Sequence, residues 1–360
     1  MIFNFVNFWE SLIILKNPPL HKKMICQFLS ILSFFYSMIL SLRNKSYDKN
    51  IFHIKKVSVP VISIGNLTLG GTGKTSLSCL AAQILLQQNK KVAILSRGYK
   101  RKNSSQRMLV VSDGNKIFET PETAGDEPVL LAQKCHGAPI LVGPDRFKIG
   151  AFAVQQFKVD ALILDDGFQH RKIYRDLDIV CCDEKILKTS KIFPRGFLRE
   201  PIQSLKRADF IVLKSEVETE KKVFQETFQF LKNCPNAVFS YEVEEIKEPI
   251  SNQTFLPHWL NQRKLFAFSA IANPNHFKKM LTDLEGKIIF FKSFPDHHYY
   301  TAIELKEMLE LAKQNHCHLI TTEKDAVKLP ADFPAAILKI KVKWSEGEDE
   351  FIKKILGTVH

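Results

Sequence analysis

The chain has 360 residues, 45% of them hydrophobic, enough for one large domain or two of medium size. Its 51 Lys and Arg against 38 Asp and Glu leave a formal net charge of +13, a balance that suits phosphorylated substrates, acidic lipid or nucleic acid. No RNA-recognition signature, zinc-finger spacing or Arg-rich tail is present, so nucleic acid is set aside, and the seven cysteines lack any CxxC pair and read as reduced thiols of a cytosolic protein.

The first element is an uncharged run from Met24 to Leu42, close to the roughly 20 residues that cross a hydrocarbon core. His21, Lys22 and Lys23 precede it and Arg43 and Lys45 follow. No small-residue cleavage site marks it as a signal peptide. Gln27 and four serines make it only moderately apolar, so it spans the bilayer or lies in the interface with basic ends. The alternative is a helix buried against the globular body. If it spans, Arg43, Lys45, Lys49, Lys55 and Lys56 place the following domain on the cytoplasmic side.

From Val57 onward, short apolar β-branched runs alternate with helical patterns. Strands are expected at Val59–Ile64, Val92–Ser96, Pro139–Val142, Ala161–Leu164, Ile179–Cys182 and Phe210–Leu213. Helices are expected at Thr75–Gln88, Asp126–Ala132, Arg146–Phe157 and Glu216–Asn233. This alternation predicts βαβ units and a mainly parallel sheet with helices on both faces. After a polar boundary at Cys234–Asn236, strands at Leu265–Ser269, Ile288–Phe291, Leu319–Thr322 and Ile337–Val342 alternate with helices at Asn275–Leu284 and Ala302–Gln314.

The strongest motif runs from Ile64 to Thr75, IGNLTLGGTGKT, between an apolar strand and an amphipathic helix. That is the setting of a phosphate loop. Gly70, Gly71 and Gly73 let backbone N–H groups turn inward around phosphate oxygens, and the helix N-terminus adds positive potential. Lys74 can reach the β- and γ-phosphates, and the Thr75 hydroxyl can ligate Mg²⁺. Thr68 stands where the usual pattern has its first glycine.

A second motif, ALILDDGFQH from Ala161 to His170, is an apolar strand ending in acid, as a Mg²⁺-binding carboxylate at a sheet edge requires. If the strand continues through Asp165 and Asp166, the two carboxylates point to opposite faces. His170 is equally readable as a group orienting a carboxylate or as a surface residue. Asp126, before Pro128, is either an N-cap or a base near the phosphates. His297, in FPDHHY, can pair with a carboxylate across a cleft. His316-Cys317-His318 lacks the matching second pair of a zinc site.

Together these segments resemble the tetraacyldisaccharide 4′-kinase family. The resemblance rests on VPVISIGNLTLGGTGKTS, ILSRGYKR, AGDEPVLLA, ILDDGFQHRKIYRDLDIV, FPRGFLREP, FAFSAIANPNHF, FPDHH and TTEKDAVKL, in order from Val59 to Leu329. The family commonly has Pro after GKT, where this chain has Ser76. The resemblance implies an α/β, P-loop NTPase-like fold: an anchor-helix region at 1–44, a nucleotide-binding kinase domain at 45–236 and a smaller α/β domain at 237–360 closing the cleft. It implies an inner-membrane enzyme, facing the cytoplasm, that moves the γ-phosphate of ATP to the 4′-hydroxyl of a tetraacylated glucosamine disaccharide 1-phosphate. ATP and Mg²⁺ are the implied cofactors. The cradle falls to Thr68, Leu69, Gly70, Gly71, Thr72, Gly73, Lys74 and Thr75, and the metal to Thr75 with Asp166 and Asp165. Asp126 is the implied base, supported by His297, with Lys74 also catalytic. Arg97, His170, Arg195 and Arg199 are candidates for holding substrate phosphates. The rivals are a membrane-attached P-loop NTPase switch and a kinase or ligase for a soluble acceptor. Nothing in the sequence sets an oligomeric state.

Overall fold

The computed structural model describes Trp9, Ile13 and residues 19–98, 101, 108–183, 191–215 and 236–359. The helix expected at Glu216–Asn233 therefore lies outside the described residues.

Helix α1 (Leu20–Asp48) contains the apolar run. Cys26, Ser33, Leu40, Asn44 and Tyr47 form a buried stripe at heptad-like spacing, whereas Leu20, Met24, Phe28, Phe34, Phe35 and Ile39 are exposed. One face thus packs on the body and the rest is bare and apolar, unlike a helix buried in a soluble core.

From residue 61 the chain runs β1 (Val61–Asn66), α2 (Lys74–Gln87), β2 (Val92–Ser96), β3 (Leu109–Ser112), α3 (Pro121–Ala124), α4 (Asp126–Lys134), β4 (Ile140–Val142), α5 (Arg146–Phe157), β5 (Ala161–Asp165), β6 (Leu177–Asp183) and β7 (Phe210–Lys214). Then follow β8 (Asn236–Glu248), β9 (Gln253–Phe255), β10 (Lys264–Ser269), α6 (Pro274–Asp283), β11 (Lys287–Ser293), α7 (Ala302–Gln314), β12 (His318–Thr322), α8 (Glu323–Ala326), β13 (Ala335–Glu346) and α9 (Glu348–Leu356). Among the described residues one sheet takes them in the order β11-β10-β12-β13-β8-β7-β6-β1-β5-β2-β4-β3, with β9 paired to β8. Strand β1 lies parallel between β5 and β6, and every residue of β1, β2, β5 and β6 is buried. Unbroken apolar runs such as ALIL are what a parallel sheet covered on both faces demands.

Several elements were not legible in the sequence, β3, β8 and α9 among them. Strand β3 is a short antiparallel edge. Strand β8 carries YEVEEIKE, whose charges mask its alternation. Those charges are met across the antiparallel ladder to β13, where Lys339 reaches Glu245 at 2.6 Å and Lys341 reaches Glu242 at 3.2 Å. Because β8 also runs parallel to β7, the sheet continues without a break past residue 236. Helix α9 turns back onto the first half, where Phe351 and Ile355 join Ile62, Leu77 and Phe210 in one core.

Phe351 is fully buried, its ring 6.1 Å from that of Phe210. Phe351→Ala is expected to destabilise the fold by about 3–5 kcal/mol, read as a lower urea midpoint. An unchanged midpoint would detach α9 from the core.

Candidate active site

Strand β1 delivers the chain to a loop whose shape its own side chains hold. Asn66 Nδ2 donates to the Thr68 carbonyl at 2.7 Å and to Thr72 Oγ1 at 3.0 Å. Gly70 and Gly73 have φ of 117° and 91°, values that disfavour any side chain. A Cβ on Gly73 would also lie 2.7 Å from the Phe239 ring and 2.8 Å from Tyr241 Oη. Thr68 is buried and packs against the 191–200 segment: Leu69 N donates to the Phe197 carbonyl at 2.8 Å, and Arg199 N to that of Leu67 at 2.7 Å. The replaced glycine is thus absorbed in the wall of the loop. Helix α2 then opens with Lys74 and Thr75. Ser76 accepts a hydrogen bond from Tyr241 Oη at 3.2 Å, a contact that proline could not accept.

The two carboxylates do not alternate, because β5 stops at Asp165 and Asp166 takes a left-handed φ of 57°. Both face α2 instead. Asp165 accepts from Ser78 Oγ at 3.0 Å. Burial, with Glu127 and Asp166 close by, pushes its carboxyl up to about 7. Asp166 accepts two bonds from Arg199 Nη1, both 2.9 Å, and lies 3.7 Å from Lys74 Nζ. Burial pushes it up, but Lys74 and Arg199 outweigh burial and hold it at about 2.

Helix α4 begins at Asp126 itself, with Gly125 as its cap at φ 99°, so Asp126 is not an N-cap and Pro128 is the third helical residue. The Asp126 carboxylate is buried and lies 2.9 and 2.8 Å from His297 Nδ1. Burial raises its pKa, but the His297 hydrogen bond and the Lys324 charge prevail and lower it to about 2. An ionised carboxylate only accepts, so Nδ1 carries the proton. Lys324, at the start of α8, lies 3.2 Å from Asp296, 3.4 Å from Glu127 and 3.4 Å from His297 Nε2. His298 turns aside: it stacks on Phe294 and bonds Glu304 at 3.0 Å.

Of the four substrate candidates, Arg199 meets Asp166 as described. Arg97 is exposed at the end of β2. Beside it Arg146, which the sequence did not single out, is buried and donates to the Gly143 carbonyl at 3.0 Å. Burial and the Arg97 charge lower Arg146 to about 10. His170 Nε2 is buried and has no hydrogen-bond partner among the described residues, and burial and the Arg146 charge lower the ring to about 4, so it is neutral. Arg195 lies apart, its backbone N–H donating to Ser33 Oγ of α1 at 2.9 Å. Asn66, Ser78, Arg146 and Lys324 were missed as individuals. Only Ser78 had a direct signal, one helical turn after Lys74 on the same face.

The family model for tetraacyldisaccharide-1-P 4′-kinase matches residues 25–360. The chain belongs to this family. It is an ATP-dependent phosphotransferase with an alcohol acceptor, a kinase of lipid A synthesis. The tetraacyldisaccharide 4′-kinase of Bdellovibrio bacteriovorus is 38% identical over 305 residues, covering 84% of this chain and 89% of its own. That of Aquifex aeolicus is 38% identical over 330 residues, covering 90% and 96%. The crystal structure of LpxK from Aquifex aeolicus in complex with ATP matches with a TM-score of 0.78 at 36% identity, covering 93% of this chain and all of that one.

The neutral His170 makes a signed prediction. Its pKa is lowered from 6.5 to about 4 on folding, so its contribution to stability is complete above pH 6.5 and is lost as pH falls toward 4. The urea midpoint of His170→Gln is expected to fall less over that window than that of the unsubstituted chain. Equal slopes would mean that His170 is not held neutral.

Proposed function

We propose that the chain phosphorylates the 4′-hydroxyl of a tetraacylated glucosamine disaccharide 1-phosphate at the cytoplasmic face of the inner membrane, with Asp126 as the base. The observation that carries this reading is the buried Asp126–His297 pair beside a phosphate loop. Glu127, the next residue, is near enough to Asp165 for its charge to raise that carboxyl, which links the pair to the loop. In this reading Thr68 to Thr75 cradle the triphosphate and Lys74 leaves Asp166 for the β- and γ-phosphates. Asp126 accepts the hydroxyl proton as the new P–O bond forms, a contribution of about 10²–10⁴-fold. Arg97, Arg146 and His170 form the cationic and donor wall that suits the substrate's 1-phosphate, and Arg199 stays near the transferred group. Residues 45–236 and 237–360 act as two lobes that close on the substrate.

The donors present fit Mg²⁺. Thr75 and one of Asp166 and Asp165 offer hard oxygens, and Mg²⁺ commonly keeps only one or two protein ligands when phosphates supply others. Among the described residues no cluster of three or more His, Cys, Asp or Glu offers an all-protein cage. Asp165, buried against a hydroxyl, is a carboxylate that an added cation would stabilise. When bound, Mg²⁺ neutralises charge across the β- and γ-phosphates.

The helix α1 reading favours the interface over a full crossing. Ser33 accepts from Arg195 and donates to the Ile192 carbonyl, and Arg43 and Asn44 bind the buried Glu200 at 2.8 and 3.0 Å. A charged, docked stretch of this kind cannot lie in hydrocarbon. The helix ahead of Ser33, Leu20 to Leu32, is only about 20 Å long at 1.5 Å per residue, short of the roughly 30 Å core. The bare face of Met24, Phe28 and Phe35 then enters one leaflet.

With ATP, Mg²⁺ and the acylated disaccharide phosphate, mass analysis should show one added phosphate on the lipid. Free phosphate without a lipid product would favour an NTPase switch. Asp126→Asn should lower kcat at least about 100-fold while ATP binding persists, and Lys74→Ala should nearly abolish turnover. Full activity of either variant removes that residue from the mechanism. Replacing Met24, Phe28 and Phe35 together with Gln should release the protein from anionic vesicles in a sedimentation assay. Retention would place the attachment elsewhere.

A further inference from the structure

Two thiols meet where the helix of the phosphate loop lies against α4. Cys79 sits within α2, and Cys135 is the residue that ends α4. Their sulfurs are 2.7 Å apart, with the Cys135 S–H donating and Cys79 accepting. A disulfide needs about 2.05 Å, so the pair can bond with little movement of either helix. Both side chains are buried in the core that also holds Ala82, Val129 and Leu131. The cover over them is thin. Gln83, Gln133 and His136 close by are exposed, and Gln83 Nε2 donates across the seam to the Lys134 carbonyl at 3.4 Å. The adjacent Cys181 and Cys182 of β6 cannot meet each other in this way. Cys181 faces the same core as Cys79 and Cys182 faces the one on the other side of the sheet, as strand alternation requires.

We propose that Cys79 and Cys135 form an oxidisable dithiol, a modification site at which hydrogen peroxide closes a disulfide that staples α2 to α4. Both thiols are free in the resting protein. The contact itself assigns their roles. The Cys135 hydrogen bond lowers the pKa of Cys79, and the Lys134 charge adds to it against burial. Giving that bond, together with burial, raises Cys135. Lys134 is held 2.9 Å from Glu323, whose negative charge partly offsets it at Cys79. Cys79 is therefore the thiolate that attacks, and Cys135 the thiol that follows. The Cys79 sulfur bonds to one peroxide oxygen and the O–O bond breaks. With one proton taken up, the products are a sulfenic acid on Cys79 and one water. The Cys135 sulfur then bonds to the Cys79 sulfur, the S–O bond breaks, and the hydroxide leaves with the Cys135 proton as a second water. The two thiols lose two electrons and two protons, and the peroxide gains them. The new bond spans 56 positions of the chain, a loop long enough to restrict the unfolded state strongly. Lys74 and Asp126 are the first residues of α2 and α4, so shortening one sulfur contact further along leaves them in place.

Full-length enzyme treated with hydrogen peroxide, then unfolded and alkylated, is expected to give tryptic peptide 75–90 joined to peptide 135–146, two hydrogens lighter than their sum. Dithiothreitol should separate them. The linked enzyme should unfold at a higher urea concentration than the reduced enzyme. Its kcat should stay within about 3-fold, because a displacement of about 1 Å at the site can cost roughly 100-fold. Cys79→Ser and Cys135→Ser should each abolish the joined peptide and the peroxide-dependent rise in the urea midpoint. In Cys135→Ser, dimedone should trap a sulfenic acid on Cys79, whereas in Cys79→Ser residue Cys135 should stay reduced. Peroxide treatment that yields no joined peptide overturns the proposal, as does a link that joins other cysteines instead. An unmoved urea midpoint in the linked enzyme, or a kcat lower by roughly 100-fold, overturns the staple. A sulfenic acid trapped on Cys135 in Cys79→Ser overturns the assigned roles. The peptide map needs neither variant, so it decides the matter even where a serine variant fails to fold.

Discussion

The antiparallel ladder between β8 and β13 governs where the site can form. Through β8 it carries the sheet from the phosphate-loop half into the half that bears His297 and Lys324. The same ladder puts Phe239 and Tyr241 under Gly73, where their contacts leave no room for a Cβ. A loop that wraps an anion has to be held by something other than the anion when it is empty. Here the holders are Asn66 from one side and the β8 aromatics from the other. Shifting β8 by one residue would turn Tyr241 to the opposite face and lose its bond to Ser76.

A second chain of contacts runs from α1 toward Lys74 and Asp166 through two adjacent residues. Glu200 is fully buried and is held by Arg43 and Asn44 of α1 and by Arg207. Burial alone would raise its pKa, but Arg207 and Arg43 outweigh it and lower it, so the carboxylate stays charged. Breaking one partner of such a buried cluster leaves an uncompensated charge, which is far costlier than losing a surface pair. Its neighbour Arg199 points the other way and grips Asp166. The helix expected at the membrane is therefore fastened within one residue of a group that touches the phosphate-loop lysine's partner.

Much of this was legible because parallel strands and phosphate loops leave strong marks. The runs VISIGN, VAILS, ALILD and FIVLK all fold as strands of the sheet, for they must be apolar on both faces. Asp126 and His297 could be named from their motifs, but their 2.8 Å meeting joins residues 171 positions apart and no local pattern encodes it. The strand β8 was hidden because its charges read as solvated polarity until β13 supplies their partners. The turn at Asp166 decides a question the sequence left conditional: strand alternation is a rule for extended backbone, and the left-handed residue there ends it. Arg146 looked like an ordinary helix start, since only the sheet order brings the β4–α5 turn beside Arg97 and His170.

A carboxylate held at about 2 is a weak base for a sugar hydroxyl, and this bears on how the proposed reaction proceeds. In the ground state Asp126 has little pull on the proton. It gains pull only as the oxygen bonds to phosphorus and its proton becomes acidic, which in a loose transition state happens late. The groups that lower Asp126, His297 and Lys324, thus sacrifice basic strength for orientation and for certainty of charge. That exchange suits an acceptor held in one position, because a prearranged weak base outperforms a strong one that is misplaced. The same logic applies to Asp166, which Lys74 and Arg199 keep ionised before any nucleotide arrives. Protein contacts thus hold both Asp126 and Asp166 as charged carboxylates.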